Sequence, residues 1–384
     1  MTTASSLTAA LAALIAQDIA HSGAWIGFDH FMSQALYAPG LGYYAHGSTK
    51  FGTMPYTKEG GARVAGSDFV TAPEMTPLFG WTVAQQVAQA LQVTGTDQVW
   101  EFGAGSGALA LQVLQALKAQ GVALQRYTIV DISGSLRARQ QATLADFADQ
   151  VRWVDALPEA MQGVVLGNEV LDAMPVKLLA RVGGVWHERG VGVGLGLGEP
   201  DAQGTPTFAW QDRATDLRPP VDVPGEHDYL TEIHPQGESF IRTLGDKLTA
   251  GAAFFIDYGF PEAEYYHPQR HMGTVMCHQA HQADGDPLTA VGQKDITAHV
   301  NFTGAAMAGN EADLGVLGYC SQATFLINCG LLKQVEVADQ KTRVMAQKLI
   351  MEHEMGEFFK VIGFYKGEPW QALGFDHGDK THTL

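Results

Sequence analysis

Short apolar runs alternate along the chain with stretches in which apolar residues recur every three or four positions. Val99-Trp100-Glu101-Phe102 is one such run, and it leads into Gly103-Ala104-Gly105-Ser106-Gly107. Ala108 to Ala119 follows with Leu109, Val113, Leu114 and Leu117 on one helical face. The segment predicts a strand, a tight turn and a helix. Tyr127 to Asp131 predicts the second strand, Ser135 to Asp149 the second helix, Val151 to Ala156 the third strand and Gly163 to Glu169 the fourth. Ala252 to Gly259 predicts a fifth strand and Phe358 to Tyr365 the last. Strands alternating with helices predict an α/β fold built on a doubly wound, Rossmann-like parallel sheet.

The flanking segments have their own patterns. Leu7 to Ile19 predicts an amphipathic helix; no Lys or Arg precedes it, and Gln17 and Asp18 interrupt it, unlike a signal or transit peptide. Phe28 to Leu36 predicts a second helix, stopped by Ala38-Pro39-Gly40, and Gly47 to Gly66 a long polar loop. Thr76 can cap a helix that has Pro77 at its first position and runs to Leu91. Val176 to Arg189 and Phe208 to Arg213 read as strands joined by the Gly-rich segment Gly190 to Gly204, and Thr231 to Thr249 reads as helix. A segment rich in His, Gln and Gly, Tyr265 to Gly309, precedes helices at Ser321 to Gly330 and Lys341 to Glu354, and the tail after Gly374 reads as frayed. The expected organisation is an N-terminal helical lid over residues 1–75 and a core over 76–384, with β/loop insertions at about 176–230 and 260–312.

The chemistry gathers where strands end. Gly103, Gly105 and Gly107 allow a sharp turn and a close ligand approach, and free N–H groups at the helix start face that ligand. Gly103, Gly105 and Ala108 also satisfy the dinucleotide pattern, so an NAD-dependent oxidoreductase is one alternative, and an ordinary strand-to-helix turn is another. Glu101 discriminates. A carboxylate beside the turn repels a pyrophosphate and suits a ligand with an ammonium, a sulfonium and no phosphate, which describes S-adenosylmethionine. Asp131 ends the second strand, where an acid accepts hydrogen bonds from ribose hydroxyls. Asp155, Asn168 and Glu169 fall at the ends of the third and fourth strands, and ligands of doubly wound sheets bind beyond those ends.

Composition narrows the classes. The 384 residues are 46% hydrophobic and 17% charged, which suits a globular protein. A net charge of -17 argues against a nucleic-acid binder. Cys277, Cys320 and Cys329 form no C-x-x-C pair, and a reducing, cytoplasmic setting is the simple reading. No apolar stretch is long enough to span a membrane. His267, His271, His278 and His281 cluster, but no cysteine pair or defined acid completes a metal site, so no metal is expected. His299 lies in Asp295-Ile296-Thr297-Ala298-His299-Val300-Asn301-Phe302. A neutral imidazole there can accept a proton; a helix capped by Asp295 is the structural alternative.

Glu101 to Gly107, with an acid ending the second strand, resembles the class I S-adenosylmethionine-dependent methyltransferases. A closer resemblance covers most of the chain. It is carried by Leu36-Tyr37-Ala38-Pro39 with Gly42-Tyr43-Tyr44, by Asp68-Phe69-Val70-Thr71-Ala72-Pro73-Glu74 with Leu78-Phe79-Gly80, by Asn168-Glu169 with Leu171-Asp172-Ala173-Met174-Pro175-Val176, and by Asp295 to Phe302. These motifs, in this order, are similar to the family of the mitochondrial complex I assembly arginine methyltransferase (MidA-like) and its bacterial relatives. The resemblance implies a methyltransferase sheet, S-adenosylmethionine as cofactor and a protein arginine as acceptor, in a respiratory-chain or other assembly subunit. A non-catalytic, cofactor-binding assembly factor is the alternative. Asp131 stands where family members often carry Glu, and either carboxylate can hold a ribose. A guanidinium is always protonated, so carboxylates must orient it and localise a lone pair on one nitrogen. Glu169 and Asp172 sit where methyltransferases place substrate-handling groups, and Glu74 is a third acid from the lid; their bland reading is compensation of helix dipoles.

Overall fold

The computed structural model describes residues 4–45, 56–57, 63–64, 71–131, 134–194, 204–279 and 282–384. Most of the predicted loop Gly47 to Gly66, the motif residues Asp68, Phe69 and Val70, and His281 lie outside the described residues. The chain divides into two compact units. The smaller comprises Met1–Ser48, Asp172–Gly237 and Glu262–Asn301, and the larger Thr49–Leu171, Glu238–Pro261 and Phe302–Leu384. The N-terminal segment thus groups with two later segments, while Glu74 belongs to the larger unit.

The larger unit is built on seven strands: β1 (Gln98–Phe102), β2 (Arg126–Val130), β3 (Val151–Val154), β4 (Met161–Asn168), β5 (Leu248–Phe260), β6 (Gly315–Ser321) and β7 (Phe359–Lys366). Their spatial order is β3-β2-β1-β4-β5-β7-β6. The run from β3 to β5 is parallel, and β7 is antiparallel to β5 and β6. The order reverses between β1 and β4, the switch point where doubly wound sheets bind ligands. Helices α1 (Leu78–Thr94), α2 (Ala108–Ala119) and α3 (Gly134–Thr143) belong to this unit. Val83, Val87 and Leu91 of α1 join Leu109, Val113 and Leu117 of α2 in one core with Val99, Ile129 and Val164 of the sheet. Burial on both faces explains why β1 and β4 read as nearly continuous apolar runs.

The smaller unit packs helices Ala4–His21 and Phe28–Tyr37 with an antiparallel sheet of Ile26–Gly27, Val185–Val193, Lys177–Val182 and Tyr229–Ile233, extended by Phe208–Ala214. Leu11, Ile15 and Ile19 form the buried stripe of the first helix, against Phe28, Phe31 and Met32. A three-stranded sheet of Gln282–Asp284, Met276–Gln279 and Asp295–Thr297 completes it.

Three expectations change. Tyr229–Ile233 is a strand and the helix begins at Pro235; antiparallel pairing with Lys177–Val182 won over the helical reading of Thr231 onward. Asp295 begins a strand and caps no helix. The tail after Gly374 is tied down: Lys380 N donates to Tyr319 O at 2.6 Å, and Asp379 Oδ1 accepts from Tyr319 N at 2.9 Å. No described helix is long and apolar enough to cross a membrane.

Candidate active site

The site begins at the turn between β1 and α2. Gly103, Gly105 and Gly107 have φ of +62°, +52° and +86°, the left-handed region that favours glycine. A Cβ on Gly103 would meet Val170 Cγ2 at 3.0 Å. The glycine therefore serves the turn itself as well as any ligand approach.

Glu101 lies within β1, 2% exposed, and Tyr127 OH donates to its Oε2 at 2.6 Å. Burial pushes its carboxyl up to about 7, the Tyr127 bond works against that rise, and the charge of Asp131 adds to it. Asp131 follows β2, and its Oδ2 accepts from Gln140 Nε2 at 2.8 Å. Asp155 follows β3, exposed and ion-paired with Arg137. Asn168 ends β4; its Nδ2 donates to Glu169 Oε1 at 3.0 Å, while its buried Oδ1 has no hydrogen-bond partner among the described residues.

Glu74 lies against the glycine turn. It sits in the helical turn Ala72–Met75 and accepts a hydrogen bond from Ser106 of the glycine turn. Gln112 on α2 anchors that segment, donating to Pro73 O at 2.7 Å and accepting from Gly80 N at 3.0 Å. Glu169 adopts φ +55°, rare for a residue with a side chain. Its N–H donates to Ile256 O at 2.9 Å, and the next two N–H groups, of Val170 and Leu171, donate to buried Asp257 Oδ2 at 3.0 and 2.8 Å. Asp257 thus fixes the segment that carries Glu169.

Asp172 and His299 belong to the smaller unit. Asp172 is 4% exposed and its carbonyl accepts from Ala298 N at 2.9 Å. Burial, with the charge of Arg270, holds His299 down at about 4. It is neutral near pH 7 but a weak base, which makes it a poorer proton acceptor than the sequence suggested. Among the described residues, no group of three or more His, Cys, Asp or Glu could hold a metal.

Sequence reasoning missed Gln140, Trp153, Thr143 and Asp257. Gln140 carried a readable signal, a polar residue on the inward face of a helix whose neighbour Leu144 is core. Asp257 had none, because the Val170 and Leu171 N–H groups that it accepts from are distant in sequence.

The donor set fits S-adenosylmethionine. Glu101, Asn168 Oδ1 and Asp131 are acceptors, and among the described residues the side chains bonded to the turn, those of Glu74, Gln140 and Thr143, include no cation to receive a phosphate. A profile of the family described as S-adenosyl-L-methionine-dependent methyltransferases matches residues 82–320, more than half of the chain. The chain belongs to this family. The methyltransferase is also similar to a Burkholderia thailandensis protein solved bound to S-adenosyl-homocysteine: 47% identity, 99% of this chain and 98% of that one covered, TM-score 0.91. A second crystal structure, of a native protein from the same organism, gives 46% identity, the same coverage and a TM-score of 0.87. Among curated proteins, the zebrafish (Danio rerio) mitochondrial protein arginine methyltransferase NDUFAF7 is 25% identical, covering 88% of this chain and 83% of that protein. The Caenorhabditis elegans homolog is 24% identical, covering 85% and 78%.

The cofactor of this methyltransferase is S-adenosylmethionine. When bound it supplies a methyl group on a sulfonium, already activated for displacement. The protein's own part is to hold acceptors at the strand ends, to orient the methyl acceptor and to exclude water.

Proposed function

We propose that this methyltransferase transfers the methyl group to a guanidinium nitrogen of an arginine in a protein. The arrangement around Asp172 carries the reading. Asp172 and Asp295 are 4% and 2% exposed. Tyr44 OH donates to Asp295 Oδ1 at 2.7 Å and Tyr37 OH to Ala173 O at 2.8 Å. The two rings stack at 5.5 Å. Burial first, then the carboxylates of Asp295 and Asp172, push both tyrosine hydroxyls well above their usual range. Two carboxylates beside stacked, neutral phenols suit a planar, delocalised cation.

In this reading Glu101, Gly103, Gly105, Gly107, Asp131, Asp155 and Asn168 hold the cofactor, joined by Glu74 through Ser106. Asp172 orients the guanidinium with Asp295. Glu169, three positions before Asp172 and only half-buried, takes the proton that the guanidinium releases. The acceptor is a protein, as the names of the 24–25% identical relatives support. We place the reaction in the cytoplasm.

The test is incubation of the purified chain with methyl-labelled cofactor and cell-extract proteins, followed by acid hydrolysis. Label in methylarginine is expected. Label confined to other residues overturns the arginine assignment.

A further inference from the structure

One face of α3 is bonded to the glycine turn, to Asp131 and to Asp155. Arg137, Gln140 and Thr143 are spaced by three residues and so share a face. Arg137 donates to Asp131 O at 3.2 Å and pairs with Asp155. Thr143 Oγ1 donates to Ser106 O at 2.8 Å. Gln140, fully buried, stands between them.

The Gln140 amide makes three bonds. Its Nε2 donates to Gly105 O at 3.1 Å and to Asp131 Oδ2 at 2.8 Å, and its Oε1 accepts from Trp153 Nε1 at 2.9 Å. Both amide hydrogens are used. A flipped amide would set an oxygen against a carbonyl and a carboxylate, and an NH2 against an indole N–H, so the orientation is fixed by chemistry. The contact with α3 is also close, since a Cβ on Gly107 would lie 3.4 Å from Gln140 Cα.

From this geometry we infer that Gln140 is a positioning residue for the Asp131 carboxylate, and through it sets the preference for a ligand whose ribose carries free hydroxyls. The amide locks the carboxylate's rotation and holds it in register with the glycine turn and the Trp153 ring. The inference rests on the placement of the ribose at Asp131. A leucine at 140 fills similar volume and removes the amide's bond to Asp131 Oδ2. A protonated glutamate at 140 can give its single O–H to Asp131 while its other oxygen accepts from Trp153, losing only the bond to Gly105 O, whereas its ionised form sets charge against both Asp131 and the Gly105 carbonyl.

The experiment is calorimetric titration of the full chain with S-adenosyl-homocysteine and with its 2′,3′-dideoxy analogue. The unsubstituted protein should favour the hydroxylated ligand by about tenfold or more. Asp131→Ala should abolish that ratio, and Gln140→Leu should reduce it at least fivefold. Gln140→Glu should keep the ratio near pH 6 and lose it as pH rises, with no such trend in the unsubstituted protein; this variant carries the test if Gln140→Leu does not fold. An unchanged ratio in Gln140→Leu with only a lower melting temperature, or a pH-independent ratio in Gln140→Glu, overturns the inference. A wild-type ratio in Asp131→Ala overturns instead the ribose placement beneath it.

Discussion

The Tyr127 hydroxyl donates to the Glu101 carboxylate at 2.6 Å, joining β1 to β2 inside the sheet. One bond from a neutral phenol does not offset the burial of a carboxylate, which is why Glu101 rises to about 7. The folded protein therefore keeps a proton that the unfolded chain releases from its ordinary 4.5 upward. The associated stability is fully present below 4.5 and is lost as pH climbs through 7.

Glu101→Gln removes this dependence. The loss on raising the pH is on the order of 3 kcal/mol, so the variant's melting-temperature advantage should be larger at pH 8 than at pH 5 by about 5 °C or more. In the proposed cofactor site the same variant loses a carboxylate and should bind S-adenosyl-homocysteine more weakly. Thermal scans at the two pH values decide; a constant offset would show that Glu101 titrates normally.

Two buried imidazoles act in the opposite direction. Burial holds His234 at about 4, helped by the charge of His299, and holds His299 at about 4, helped by that of Arg270. An unfolded chain binds protons below 6.5 that these folded groups refuse. Their stability is present above 6.5 and is lost as pH falls toward 4. His299→Gln should flatten the acid limb of the stability–pH curve. It should also leave the pH profile of methyl transfer without any lost step near 6.5. A step there that vanishes in the variant would restore His299 as a working base.

Glu169 couples function to strain. A non-glycine residue at φ +55° costs about 1–2 kcal/mol. Glu169→Gly relieves that strain and deletes the carboxylate. Stability should hold or rise by up to about 1 kcal/mol, less the added entropy of the unfolded glycine, while methyl transfer falls at least tenfold. Urea unfolding and single-turnover transfer read the two signs separately. Loss of both together would mean that the side chain supports the fold.

The sheet was legible because its signals are local. Apolar strands, the glycine turn and the amphipathic α1 and α2 appear within a few residues of their expected bounds, since burial on both faces dictates their composition. Strand-end positions told where Asp131, Asp155 and Asn168 lie for the same reason. The roles of Glu74 and Asp257 were not legible. Glu74 meets Ser106 across 32 positions, and Asp257 meets Leu171 across 86. Nothing in a periodicity records such partners. Asp295 was misread because Asx caps and strand starts look alike when the following residues are Ile-Thr, which favour strands. The tail was misread because polar composition does not show the backbone bonds to Tyr319 that hold it.

Asp172 tests the acceptor side alone. Asp172→Asn keeps shape and one carbonyl acceptor but removes the charge. A charge-assisted hydrogen bond contributes about 1.5–3 kcal/mol, so transfer should fall at least tenfold with S-adenosyl-homocysteine affinity within about twofold of wild type. Equal loss of affinity would place Asp172 at the cofactor.

The central claim, methyl transfer to protein arginine directed by Asp172, is most directly tested in the source cell. Methylarginine-containing peptides are measured by mass spectrometry in a strain lacking this chain, and again after restoring either the wild-type sequence or Asp172→Asn. The account predicts at least one arginine methylation that disappears in the deletion, returns with the wild type and stays absent with Asp172→Asn. An unchanged arginine-methylation profile, with the lost methyl mark on another side chain, would contradict it.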